Sequence, residues 1–298
     1  MEFKQVLQQA MLGLYNGAFY AILSLGLAVI FGLLNIINFA HGALYMLGAF
    51  VALIGLTLLG GWLGSPDLAI GYWASLIVAP VVVGLLGVVI ERTMLRRLYQ
   101  FDHLYGLLLT FGIALVIQGL FTQFFNTSGE PYPGIPPVLQ GATDLGFMIF
   151  PKYRLWVVSV SLAVCLGTWF MIERTQLGAY LRAGTEKPDV VRAFGINVPL
   201  MITLTYAFGV GLAALAGVLA VGTVQPSPVM GAEMIIKVFA IVVIGGMGSI
   251  IGSVATGFLL GMVEGVTKVI YPEAADVVIF VLMAIVLLLR PAGLFGKE

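Results

Sequence analysis

From Gln5 to Pro66 the chain carries no Asp, Glu, Lys or Arg. A soluble fold keeps most of its surface in water and cannot leave so long a run uncharged. Inside a bilayer, by contrast, each exposed charge costs roughly 2.5 to 3.5 kcal/mol at mid-depth. The run therefore belongs in lipid. Composition agrees, since 60% of the residues are hydrophobic and 9% charged, against about 45 to 50% and about 25% in soluble domains. That excess exceeds what an interior can hold and must face lipid. Lys plus Arg balance Asp plus Glu at 14 each, which removes any case for nucleic-acid binding by bulk attraction. Cys165 stands alone in an apolar run, so it supports neither a disulfide framework nor a zinc site and reads as packing. Glu2 and Lys4 cancel and no small-x-small site follows, so the first apolar run reads as a span rather than a removable leader.

About 20 apolar residues cross the hydrocarbon. Such windows fall near Leu12–Leu34, Ala43–Leu63, Leu68–Ile90, Leu104–Phe125, Leu155–Ile172 and Leu200–Val221, and the stretch Val238–Leu289 holds two or three more. The expectation is an all-α, polytopic transmembrane bundle of about eight spans, seven to nine, with residues 1–298 forming a single transmembrane domain. Arg92, Arg96 and Arg97 cluster after the third span, and Arg174, Arg182, Lys187 and Arg192 after the fifth. By the positive-inside rule both connections, the second covering 173–199, are cytoplasmic, and the Pro- and Gly-rich loop 126–152 is an irregular segment outside. An even span count leaves Arg290 and Lys297 on the wrong side, so a ninth crossing or a re-entrant piece near Gly245 stays open.

Many of the 38 glycines recur at four-residue spacing: Gly13 and Gly17, Gly248 and Gly252, then Gly257, Gly261 and Gly265. Small residues one turn apart let spans approach closely, which is the expected role of most of them. The cluster Gly245-Gly246-Met247-Gly248-Ser249 differs. Three glycines in four residues destabilise a helix by about 1 kcal/mol each relative to alanine, so a broken or re-entrant helix is expected there. Breaks at membrane depth line pathways.

Two constellations carry the remaining chemistry. Asn35, Asn38, His41 and Tyr45 fall on one face if their segment is helical, and such a face needs protein or a water-lined cavity before it. A polar turn between the first two spans is the equal alternative. One histidine with amides and no carboxylate is a poor metal-ligand set. The second is Thr185 to Gly195. Thr185 is a candidate cap, Glu186 and Asp189 lie in the first turn, Arg192 in the last, and Gly195 is the stop, giving a short helix with Val190, Val191 and Phe194 on one side. That helix either docks into a partner's groove or rests on lipid headgroups. Glu233 with Lys237 and Glu264 with Lys268 are acids four residues before bases, the favoured helical pairing; Glu264 is also the one candidate for a carboxylate that couples transport to protons or sodium. No Gly-rich phosphate loop ending in Gly-Lys-Ser/Thr, Gly-x-Ser-x-Gly elbow or His-Glu-x-x-His pair occurs, so no catalytic residue is assigned.

The run Gly26-Leu27-Ala28-Val29-Ile30-Phe31-Gly32-Leu33, followed by Ile37-Asn38-Phe39-Ala40-His41-Gly42 and Met46-Leu47-Gly48-Ala49, closely resembles the opening of LivH-type permease subunits of bacterial branched-chain amino-acid ABC importers. Arg182-Ala183, Ala193-Phe194-Gly195-Ile196-Asn197 and Ala214-Leu215-Ala216-Gly217 resemble that family's coupling loop and next span, and Gly245 to Gly252 its late glycine block. Lys187-Pro188 departs from the acidic or small residue expected there. The resemblance implies a multi-pass protein of the bacterial inner membrane that moves branched-chain amino acids, or else urea, amides or other amino acids. It implies a homologous second permease, two cytoplasmic ATPase subunits that bind ATP with its magnesium, and an external solute-binding protein. No cofactor is expected in this chain. Asn35, Asn38, Phe39, His41, Tyr45, Gly245, Gly246, Gly248 and Ser249 would line the substrate pathway; Arg182, Thr185, Glu186, Asp189, Val190, Phe194 and Gly195 would meet the ATPase. A secondary transporter driven by an ion gradient and acting alone is the rival class.

Overall fold

The computed structural model describes residues 3–34, 36–62, 68–132, 134–144, 146 and 148–296. A chain in lipid must satisfy every backbone N–H and C=O internally, and helices do so within one segment. The described residues form α1 (Phe3–Leu34), α2 (Ala40–Trp62), α3 (Leu68–Thr93), α4 (His103–Phe124), α5 (Lys152–Arg174), α6 (Gln176–Glu186), α7 (Pro188–Ala193), α8 (Val198–Ala220), α9 (Met230–Gly245), α10 (Ile250–Ile270) and α11 (Val278–Leu289). Six of these, α1, α3, α4, α5, α8 and α10, are long and apolar enough to cross a membrane. This is a polytopic helical membrane protein. Polar side chains set several starts: Asp102, Asn197 and Ser249 each accept a backbone N–H from the first turn of α4, α8 and α10.

The late chain resolves the charge-side problem. α9 has 16 residues and ends at Gly245, where Gly246 and Gly248 take φ values of 99° and 86° that glycine alone adopts readily. α10 runs back along α1, and the 12-residue α11 then returns, so that Leu294 N–H donates to Ile244 C=O (2.8 Å) and Phe295 N–H to Gly245 C=O (3.1 Å). Arg290 thereby comes to the same end as Arg92, Arg96, Arg97, Arg182 and Arg192, called the basic end below. Among the described residues α1 to α5 and α8 to α11 make nine alternating passes, within the expected seven to nine and including the ninth left open; α9 and α11 are short.

α1 is the centre, with 83% of its most apolar window buried, whereas α4 has 6% and stands at the periphery. α10 packs on α1 through glycines: Gly13 and Gly17 face Gly261, Gly257 and Phe258 backbone. The expected close approach of small residues is realised there. The loop 126–152 is less irregular than its prolines suggest. Ala142–Asp144 pairs antiparallel with Ile149–Pro151, and Glu130 N–H donates to Pro226 C=O (2.8 Å), tying the loop to the α8–α9 connection.

Candidate functional site

The segment between α1 and α2 divides the expected polar face in two. Asn35 lies outside the described residues, 36–39 are not helical, and α2 begins at Ala40, so Asn38 sits in a turn while His41 and Tyr45 sit on the helix. Asparagine competes with helix by local hydrogen bonding, which favours a turn. This turn is nevertheless inside the protein. Asn38 is 1% exposed, and α4 holds the turn through Thr110, whose hydroxyl accepts from Phe39 N–H (3.1 Å) and lies 3.2 Å from Ile37 C=O.

A small cavity of about 10 Å³, room for no more than a water, lies beside that turn. Leu27 and Phe31 of α1, Ile37, Asn38 and Phe39 of the turn, Ile235, Phe239 and Val242 of α9, and Met247 of the break line it. The Phe39 ring stacks on Phe239 at 5.8 Å and meets Phe111 edge-on at 6.3 Å. On the far side of Phe39 a second apolar cavity of about 210 Å³ lies between α2, α4 and α9, with Gln118 as a polar lining residue. His41 and Tyr45 are not at the first cavity. His41 is fully buried with Nε2 3.1 Å from Leu23 C=O, and Tyr45 is buried in the core where α2 meets α8. The glycines frame the break rather than coat the cavity: Gly248 faces Gly32, Gly245 faces Gly252, and Gly246 is covered by Gly293 and Gly296. Ser249 Oγ accepts from Gly252 N–H (3.1 Å). Asn38 and Phe39 are thus the two members of the expected pathway set that the structure places on the cavity, and Met247 is the member of the glycine block that joins them.

At the basic end the expected single helix is two. Thr185 and Glu186 close α6 instead of opening a helix, Lys187 is the joint with ψ 70°, and Pro188 is the first residue of α7. The reason is proline: it excludes the helical region for the residue before it, while its own fixed φ suits a first turn. Gly195 is the stop expected, with φ 79° and its N–H on Arg192 C=O (2.9 Å). Val190 and Phe194, one turn apart, are 51% and 79% exposed, while Val191 turns inward and is buried. Asp189 pairs with Arg192 at 3.4 Å on the exposed side. Arg182 does other work: it donates to Ile172 C=O (2.8 Å) and approaches Glu173, clamping α6 to the end of α5.

Residues 10–287 match the family described as the permease component of the branched-chain amino acid transport system. The chain belongs to that permease family. It is 31% identical over 302 residues to the high-affinity branched-chain amino acid transport system permease protein BraD of Pseudomonas aeruginosa, covering 99% of this chain and 97% of BraD. It is 30% identical over 313 residues to LivH of Escherichia coli K12, with the same coverage. LivM of the same organism is 27% identical over 301 residues, 92% of this chain and 67% of LivM.

Two features of this permease escaped the sequence reading. Glu264 is 2% exposed and does pair with Lys268 (3.0 Å), but Lys237 also reaches it (3.8 Å) and Tyr20 donates to it (2.6 Å) from α1. Among the described residues Lys237 binds Asp276 at 2.8 Å and forms no ion pair with the expected partner Glu233. Glu264 is therefore a neutralised hub at the end opposite the basic one. Glu91 is the second. It closes α3 beside Arg92, Arg96 and Arg97, draws no assignment from the sequence, and is 1% exposed. Among the described residues no group of three or more His, Cys, Asp or Glu side chains is placed to hold a metal ion.

Proposed function

We propose that this chain is the membrane-embedded permease of an ATP-driven importer that carries branched-chain, hydrophobic amino acids into the cytoplasm across the bacterial inner membrane. The basic end is the cytoplasmic one. The observation that carries the reading is α7, a short helix held at that end, whose Val190 and the following Phe194 face outward and are left exposed by the described residues. An apolar pair at one-turn spacing is what a helix inserts into a partner's groove. The chain has no phosphate loop of its own, so ATP and magnesium belong to two separate ATPase subunits, and α7 with Asp189, Val190, Phe194 and Gly195 is their docking segment. Two different Escherichia coli permeases, LivH and LivM, resemble this chain, which supports pairing with a second, homologous permease. An external binding protein supplies the solute.

Transport then proceeds by alternating access: closure of the ATPases moves α7 as a lever and shifts which side the cavity faces. The space at the turn itself is closed to about 10 Å³ in this state, while the neighbouring cavity of about 210 Å³ across Phe39 has walls that suit an aliphatic side chain, since Ala43, Met46, Phe111, Leu115 and Ile235 are all apolar. Reconstitution with the second permease, ATPases and binding protein tests this through ATP-dependent uptake of radiolabelled leucine. Asp189→Lys should leave assembly of the chain intact while uptake fails. Robust uptake by this chain alone under a sodium or proton gradient would replace the importer reading with the ion-coupled one.

A further inference from the structure

We propose that Glu91 is a positioning residue that ties α8 to the end of α3 and so sets how α8, joined to the docking helix α7, sits against the α1–α2 turn beside the cavity. The proposal rests on the permease reading above. Glu91 is buried at the end of α3, and among the described residues no cation forms an ion pair with it. Its two oxygens are instead shared between two other elements. Oε1 accepts from the Tyr99 hydroxyl (2.9 Å) in the α3–α4 connection, and Oε2 accepts from the Thr203 hydroxyl (2.6 Å) of α8. A buried carboxylate held by hydroxyls alone is costly compared with an apolar side chain of its size, so packing does not account for it.

The α8 side of this contact is built to change. Thr203 has one hydroxyl proton and two acceptors in reach, Glu91 Oε2 and Pro199 C=O at 3.0 Å. A movement of α8 against α3 exchanges one acceptor for the other and never leaves the hydroxyl unpaired. The charge-assisted bond to Glu91 is the stronger, so it defines the state seen here. α7 leads into α8 through residues 194–197, where Asn197 caps α8 by accepting from Leu200 N–H (3.1 Å), so a displacement of α7 is delivered to the turn that carries Thr203.

One helical turn beyond Thr203, on the same face, the fully buried Tyr206 hydroxyl faces the Asn38 side-chain amide in a contact too poorly aligned to count as a full hydrogen bond. Among the described residues neither the oxygen nor the nitrogen of the Asn38 side chain has any other side-chain or backbone partner. Buried polar groups are almost always paired. A small shift of α8 against the turn completes or breaks this misaligned Tyr206–Asn38 contact, and Asn38 belongs to the turn that lines the cavity. Glu91, Thr203, Tyr206 and Asn38 thus run from the docking helix to the cavity-lining turn, and coupling along them requires a second arrangement of this α8 contact, which the experiment below looks for.

Two measurements decide it. In the purified chain, spin labels at Val190→Cys and Arg96→Cys, on a Cys165→Ser background, report the distance between α7 and the α3–α4 connection. Thr203→Val and Glu91→Gln should each shift or broaden that distance distribution, and Thr203→Ser should restore it. An unchanged distribution in Thr203→Val overturns the proposal, whatever the solute or motor. In the reconstituted importer, Thr203→Val should lower leucine moved per ATP hydrolysed by at least about fivefold while hydrolysis persists. Uptake and hydrolysis falling together, in step with the amount of assembled complex, would mean a structural staple and no coupling role. Absence of ATP-driven uptake in the wild-type assembly would sink the importer reading and leave the spin-label result to judge the link.

Discussion

Gly261 of α10 stands over Gly17 of α1 with no room for a side chain: a Cβ on Gly261 would overlap the Gly17 backbone. Lipid offers no hydrophobic drive between helices, so contact of this closeness is how α1 and α10 gain dispersion energy. Gly261→Val should destabilise the protein by about 1 to 3 kcal/mol, the cost of overpacking. Gly119 on α4 meets nothing within 4 Å, and Gly119→Ala should be neutral or stabilising by up to about 1 kcal/mol. Thermal unfolding in detergent, followed by loss of the monodisperse peak, measures both. Equal behaviour of the two variants would refute the packing role.

The helices were legible because lipid makes their signal large. Windows placed by hydropathy alone agree with α3, α4, α5 and α8 to within a few residues, and the glycine cluster marks the break because backbone conformation at Gly246 and Gly248 is itself a local property. Contacts between elements were not legible. The i, i+4 rule found Lys268 for Glu264 but not Tyr20, which comes from α1, nor Lys237 from α9. Glu91 drew no assignment because sequence places a span end only to within a turn, and one turn separates water from the interior. Thr185 was misjudged for a different reason: α6 is short and amphipathic, and its hydrophobic periodicity is hidden among far more apolar spans.

Tyr20 holds the buried Glu264 carboxylate from across the α1–α10 contact. Tyr20→Phe should cost about 1.5 to 3 kcal/mol, the range for a hydrogen bond to a charged group, because the carboxylate oxygen it leaves has no water to replace it. Leucine uptake per assembled complex should be unchanged, since this cluster is remote from the Asn38–Phe39 cavity. Selective loss of uptake with stability intact would return Glu264 to the pathway.

Asp276 gives this cluster a pH signature. The Lys237 hydrogen bond and charge hold the exposed Asp276 carboxyl below its ordinary 3.8. Because the folded value is the lower one, the contribution is fully present above the unfolded value and is lost as pH falls through the folded one. Unfolding temperatures of wild type and Asp276→Asn should therefore differ at neutral pH and converge in strong acid. A constant difference across that range would show that the two side chains are not paired.

The two faces of α7 should separate docking from folding. Phe194→Ala removes a ring that is 79% exposed, so stability of the isolated chain should change by less than about 0.5 kcal/mol while co-purification of an ATPase subunit is lost. Val191 is 6% exposed, and Val191→Ala should instead destabilise the chain by about 1.5 kcal/mol for two buried carbon groups. Reversal of this pattern would place the docking surface elsewhere.

The C-terminal strap is the remaining device around the break. A helix that ends inside a membrane protein leaves its last carbonyls without partners, and here Leu294 and Phe295 N–H groups supply two of them, to Ile244 and Gly245. Truncation after Arg290 strands both carbonyls, and at about 1 to 3 kcal/mol for each unsatisfied buried acceptor the local structure should open well before the rest of the bundle. Hydrogen exchange should accelerate at amides 246–253, where Gly252 now rests on Phe295, while amides of α1 near Gly17 keep their protection. Leu289→Ala, at a side chain 76% exposed on α11, changes the same region without touching the strap and should leave exchange at 246–253 as in wild type. Uniform acceleration across α1 and α10 in the truncated chain would mean that the strap supports the whole bundle and not the break alone.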